Sequence, residues 1–175
     1  MLVVGLLAPD ETLLAAAEAA LAADFGPVTR RSATIPFDFS DYYTVEMGPG
    51  LLRRWTAHGL VEPGRLAILK RTAGRIEARF ERDGRRRVNL DPGLLSLHSL
   101  VLATTKDFAH RIYLSDGIFA EVTLLYRAGR YESLDWTYPD YRTDACHAFL
   151  HDCRRSLLGV RMTPRVTLTP PRPAG

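Results

Sequence analysis

The chain has 175 residues, is 46% hydrophobic and 25% charged, and carries a formal net charge of +3. Those proportions suit one ordinary globular domain and rule out a low-complexity or collagen-like chain. No apolar run reaches the roughly 18 residues that span a bilayer, and the start "MLVVGLLAPDE" lacks the basic region and small-residue cleavage site of a signal peptide, so a cytoplasmic location is expected.

"LVVGLLA" reads as a buried first strand. Asp10 caps the following helix, with Leu13, Leu14, Ala17, Leu21 and Phe25 on one face and Gly26 as its stop. "VTRRSATIPF" reads as a second strand ended by Pro36, and the polar, aromatic loop "DFSDYYTVEMGPG" leads to a third strand in "LLRRWTAHGLV". Pro63 opens a second helix with Leu66, Leu69, Ala73, Ile76 and Phe80 at spacings of three and four, Asp83-Gly84 ends it, and "RRVNL" supplies a fourth strand. The order strand, helix, strand, strand, helix, strand over residues 2–90 predicts an α+β fold with a ferredoxin-like βαββαβ unit.

Asp91-Pro92 has the form of an N-cap followed by proline at the first helical position. Leu94, Leu95, Leu97, Leu100, Val101 and Leu102 then predict a central buried helix, with His98 as a core histidine. "HRIYLSDGIFAEVTLLYR" predicts a hairpin around Asp116-Gly117, whose two residues suit a type I′ turn. "RYESLDW" suggests a further strand, and 140–158 a last amphipathic helix. The domain is expected to occupy 1–160, with 161–175 as a disordered proline-rich tail.

Several function classes lose support. Of 23 basic residues only Lys70 and Lys106 are lysines, and the arginines are scattered among 20 acidic residues, so there is no specific nucleic-acid signal. The run "ERDGRRRV" reads as a solvated turn. Cys146 and Cys153, seven apart on a helix, have Cα atoms about 10 Å apart, too far for a disulfide, and share an apolar stripe with Phe149, Leu150 and Leu157. His147 and His151 have the i, i+4 spacing of metal ligands, but Asp144, His147, Arg154 and Arg155 mark a solvent side while the cysteines turn inward, so no metal site is expected. No GxSxG nucleophile motif occurs, and neither a cofactor nor an oligomeric state is indicated.

The phrases "IPFDFSDYYTVEMGPGL", "RRVNLDPGLL", "LVLATTKDFAHRIYL", "IFAEVTLLYR" and "WTYPDYR" resemble, in this order, a family of small uncharacterised prokaryotic proteins catalogued as a domain of unknown function. The resemblance spans nearly the whole chain apart from the tail and implies no established activity, so no catalytic residue follows from it. Members are sometimes labelled GTP-binding proteins. A phosphate loop of that kind needs GxxxxGK followed by serine or threonine, and neither lysine here is preceded by glycine.

One stretch concentrates chemistry: "TTKDFAH", Thr104 to His110. If Ser115 pairs with Ile118 across the hairpin, then Leu114 faces Phe119, Ile112 faces Glu121 and His110 faces Thr123. Glu121 then sits on an otherwise apolar face and needs a partner, because a buried unpaired carboxylate is costly. His110 is the nearest. The expected function is binding of a small anionic ligand, phosphate-bearing in one version, with Lys106, Thr104 and Thr105 holding the anion and Arg111 and Arg142 as clamps. Tyr42, Tyr43 and Glu46 of the glycine-ended loop, and Tyr141 of "WTYPDYR", would line the cleft. An enzyme alternative uses His110 as general acid or base, oriented by Glu121 or Asp107. An interaction module without chemistry is the third reading, in which the same polar groups form closed structural bonds.

Overall fold

The computed structural model describes residues 1–161; of the expected proline-rich tail, 162–175 lie outside them, and residue 161 ends the last helix. Strand β1 (Leu2–Ala8) is buried along its whole length, as an unalternating apolar run requires of a strand covered on both faces. Helix α1 (Glu11–Phe25) starts where the Asp10 carboxylate accepts the Leu13 N–H at 2.8 Å and stops at Gly26, whose φ of 87° suits glycine. Two short pieces follow, β2 (Arg30–Arg31) and β3 (Ile35–Pro36), then helix α2 (Thr44–Met47), strand β4 (Leu52–Ala57) and helix α3 (Leu66–Ala78). The second half comprises β5 (Asn89–Leu95), β6 (Ser99–Thr104), β7 (Ile112–Ser115), β8 (Ile118–Arg127), β9 (Arg130–Ser133) and α4 (Asp144–Arg161).

The nine strands form a single sheet in the order β2-β4-β1-β5-β6-β8-β7, with β3 against β4 and β9 against β8. Every strand pairing among the described residues is antiparallel. Alternate residues of β1 face opposite ways and build separate cores. Leu2, Val4 and Leu6 pack with Leu14, Ala17 and Leu21 of α1 and Leu69, Ala73 and Ile76 of α3. Val3 packs with Trp55, Leu100 and Leu124 against Cys146, Phe149, Leu150 and Cys153 of α4. Among the described residues the result is a mixed fold of four α-helices and an antiparallel sheet, with helices on both faces.

Residues 91–103 depart from the expected helix: they form the end of β5, a turn and most of β6. A short apolar run buried on both faces has no period to distinguish helix from strand, and Asp91-Pro92 imitates a capped start. His98 is exposed at the β5–β6 turn rather than buried in the core. The β7–β8 hairpin forms at Asp116-Gly117, both with positive φ, and Ser115 pairs with Ile118 as expected. Beyond that, a register shift between Tyr113 and Ser115 sets Tyr113 opposite Phe119 and Ile112 opposite Ala120. Ile112 and Leu114 consequently face solvent, 68% and 39% exposed, instead of sharing the face of Glu121. On α4, Arg154 is not a free solvent group: it lies 3.7 Å from the Tyr126 ring centre and donates to the Leu97 carbonyl.

Candidate functional site

A proline opens the sheet. Strands β5 and β6 pair only at Gly93–Leu102, Leu94–Val101 and Leu95–Leu100. The Leu95 N–H reaches Met1 on the β1 side, so by alternation the N–H of residue 92 would face β6. Pro92 has none, and the ladder stops there. The backbone of Leu90, next in that direction, is satisfied from α3: its N–H donates to Glu77 Oε1 at 2.6 Å and its carbonyl accepts Lys70 Nζ at 2.7 Å. Burial holds the Glu77 carboxyl above its ordinary pKa. Between the diverging strands lies a cavity of about 340 Å³, with Asn89 and Asp91 on one side and Ala103 to Lys106 on the other.

Its floor is a charged chain. Arg53, only 3% exposed, lies 3.2 Å from Asp91 and 2.8 Å from Asp140 as ion pairs. The approach to Asp140 is too oblique for a hydrogen bond, and Arg53 Nε and Asp140 Oδ2 have no hydrogen-bond partner among the described residues. The guanidinium is also flanked by the rings of Phe37, Tyr141 and Trp55. Burial opposes its charge, but Asp140, Tyr141 and Asp91 together hold its pKa above the ordinary arginine value. Asp91 also receives Asn89 Nδ2 at 2.8 Å and faces Lys70 at 3.6 Å. Burial would raise its pKa, yet Lys70 and Arg53 keep it below the usual carboxylate value. For Asp140 burial wins and the pKa is raised, Arg53 offsetting only part. Arg86 extends the chain outward, donating to Asn89 Oδ1 at 2.9 Å and to Glu46 at 2.6 Å.

Tyr141 completes the floor. It is 1% exposed, and its hydroxyl has no hydrogen-bond partner among the described residues. The ring reaches across β1 because residue 5 is glycine: a Cβ there would come within 2.5 Å of the hydroxyl.

The mouth is made by two loops. From the β3–β4 connection, Tyr42 accepts a hydrogen bond from Lys106 Nζ at 2.7 Å, and Tyr43 lies beneath Arg86. From the end of β6 comes Thr104 and from the β6–β7 connection Thr105 and Lys106, and the Thr104 hydroxyl accepts the Lys106 N–H at 3.2 Å. Glu121, 1% exposed, holds this second loop in place. Its Oε2 accepts from His110 Nε2 and Arg111 Nε, each at 2.9 Å, and Oε1 from the Thr123 hydroxyl at 3.3 Å. Arg111 then donates to the Lys106 carbonyl and the Tyr138 hydroxyl.

The structure thus gathers Lys106, Thr104, Thr105, Glu121, Tyr42, Tyr43 and Tyr141 around one cavity. His110 bonds Glu121 but lies outside the lining, stacked 4.5 Å from Trp136 with ring planes 10° apart. Arg111 is committed to three protein acceptors, and Glu46 pairs with Arg86. Asp107 is exposed and is not among the lining residues. Arg142 is turned away, donating to the carbonyls of Thr137, Leu134 and Asp135.

Arg53, Lys70, Arg86, Asn89, Asp91 and Asp140 were not anticipated. Signals existed: an arginine at the buried parity of "LRRWTA", a rare lysine bordering the apolar stripe of α3, and Asn89 and Asp91 alternating on a strand. Among the described residues no group of three His, Cys, Asp or Glu is placed to hold a metal ion, and no helix is long and apolar enough to cross a membrane.

Fold and site define a mixed α/β domain with a polar cavity opened between two strands of its sheet. The chain belongs to the family described as Domain of unknown function (DUF4416), whose model matches residues 1–157. No curated protein and no solved structure matches it.

Proposed function

We propose that this domain binds a small anionic ligand in the cavity between β5 and β6, with Lys106 holding the anion. The observation that carries this reading is the charge arrangement around a cavity of about 340 Å³, a size within the range of ligand pockets. Arg53, Lys70 and Arg86 each have a carboxylate within 4 Å, whereas Lys106 has none among the described residues and meets Tyr42 instead, its Nζ 2.7 Å from the hydroxyl and 4.0 Å from the ring centre. A cation at a cavity mouth without a counter-ion is a place for an anion from outside. Thr104 and Thr105 offer hydroxyls beside it, and Tyr42 and Tyr43 form a cover. Glu121 is a positioning residue in this reading, acting through Arg111 on the loop that carries Lys106. The acid–base alternative for His110 draws less support, since its ring stacks on Trp136 away from the cavity.

The same reading takes the first half as a ferredoxin-like unit, supported by the antiparallel order β2-β4-β1-β5 with α1 and α3 on one face. It also takes the domain as cytoplasmic, in keeping with the two unbridged thiols of Cys146 and Cys153.

Thermal-shift screening of phosphate- and carboxylate-bearing compounds tests the proposal. A ligand at roughly 100 times its Kd adds about 2.7 kcal/mol. At about 2–4 °C per kcal/mol for a domain of this size, that raises Tm by about 5–10 °C. Lys106→Ala should remove the shift while leaving the unliganded Tm near that of the parent. If no anionic compound shifts Tm, or if Lys106→Ala retains the whole shift, the assignment is wrong.

A further inference from the structure

The cavity floor carries information about the rest of the ligand. Its charges are already balanced: Arg53 and Lys70 stand against Asp91 and Asp140. Its hydrogen-bonding capacity is not filled. Asp140 Oδ2 has no hydrogen-bond partner, Asp91 Oδ1 sees only Lys70 at 3.6 Å, and the enclosed Tyr141 hydroxyl has neither donor nor acceptor among the described residues. A ligand must therefore bring hydrogen-bond donors to the two carboxylates and a donor or acceptor to the phenol, without adding charge. An ammonium group would satisfy the carboxylates but would place a third cation beside Arg53 and Lys70. An apolar group would leave the buried Asp140 Oδ2 and Tyr141 hydroxyl without a hydrogen-bond partner and give Asp91 Oδ1 nothing beyond Lys70. Hydroxyl groups, neutral and both donating and accepting, meet every condition. The side walls are aromatic, with Phe37, Tyr43 and Tyr138 presenting surfaces for the C–H face of a ring.

Resting on the binding function above, we infer that the ligand is a polyol bearing one phosphate or carboxylate group, its hydroxyls at Asp91, Asp140 and Tyr141 and its anion at Lys106. The phosphate and carboxylate versions share this chemistry, and the test separates them.

Calorimetric titration of the full chain with gluconate, a hexose monophosphate, inorganic phosphate, glucose, glutamate and benzoate decides the matter. At least one of the first two should bind ten-fold or more tightly than each of the other four, and which of them does so identifies the anion. Tyr141→Phe deletes a single unpartnered hydroxyl while keeping the ring, so Tm should stay level or rise. The same variant should weaken the polyol anion by about five-fold, the worth of one hydrogen bond, and leave the weak affinity for inorganic phosphate unchanged. Lys106→Ala should weaken both. If glutamate or benzoate binds as tightly as the polyol anions, or if Tyr141→Phe leaves the polyol affinity intact, the polyol assignment falls and the anion-binding reading stands. If none of the six binds, both fall together.

Discussion

Replacing Arg53 by methionine removes the one cation paired to Asp140 among the described residues, and the cost can be worked from the geometry. Arg53 and Asp140 are 3% and 2% exposed. After the change Asp91 keeps Asn89 at 2.8 Å and Lys70 at 3.6 Å, whereas Asp140 keeps no ion pair among the described residues. Orphaning a buried partner in this way costs about 3–5 kcal/mol. In a domain whose total stability is about 5–15 kcal/mol the variant should still fold in the cold. The cost has a pH signature. The Asp140 carboxyl is already raised by burial, and losing Arg53 pushes it further above its unfolded value of about 3.9. A group with a raised folded pKa destabilises the fold once pH exceeds that value and is relieved on acidification. The deficit should therefore narrow as pH falls through the raised pKa, by about 1.4 kcal/mol per unit. Urea denaturation at about pH 7.5 and pH 5 measures it, and adding Asp140→Asn to Arg53→Met should recover most of the loss. A deficit below about 1 kcal/mol at pH 7.5, a deficit equal at both pH values, or no recovery in the double variant would each refute the argument.

Further consequences follow from the same contacts. Gly5→Ala places a Cβ within 2.5 Å of the Tyr141 hydroxyl and should cost about 1–3 kcal/mol in chemical denaturation, with most of the loss recovered by adding Tyr141→Phe. Glu121→Ala leaves Arg111 and His110 without their shared acceptor and should destabilise by about 3 kcal/mol, with faster amide exchange in residues 105–111 than in β1. His58, buried beneath Phe25 and bonded to the Gly26 carbonyl, has a pKa lowered by burial. Its neutral form belongs to the fold, so stability present above about pH 6.5 should decline as pH falls toward the lowered value. His58→Gln should flatten that decline in denaturation measured across pH 7.5 to 5. Asp10→Ala removes the cap of α1 and should cost about 1 kcal/mol by urea melt.

Local chemistry accounts for the parts of the fold that were readable in advance. Asp10 and Gly26 bound α1, the first through the cap bond of its carboxylate and the second through a positive φ that the lack of a Cβ permits. Asp116 and Gly117 both adopt the positive φ of their hairpin turn. The need of Glu121 for a partner followed from burial, and His110 meets it together with Arg111, which the sequence did not point to. The register of that hairpin did not follow, because the shift near Leu114 depends on which face the rest of the sheet covers.

By itself, the sequence determined the mixed helix-and-strand character of the domain, the turns at Gly26 and Asp116-Gly117, and the pairing of His110 with Glu121. Tertiary structure alone decided that residues 91–103 pair as strands, because that run has no period and takes its form from β1 and β8 on either side. It alone brought Arg53, Asp91 and Asp140 together, from three elements far apart in the chain whose charges are tolerable in the interior only in one another's company. The cavity belongs to both levels. Pro92 withholds one N–H, a local fact, and the opening exists because nothing else in the sheet closes the gap that it leaves.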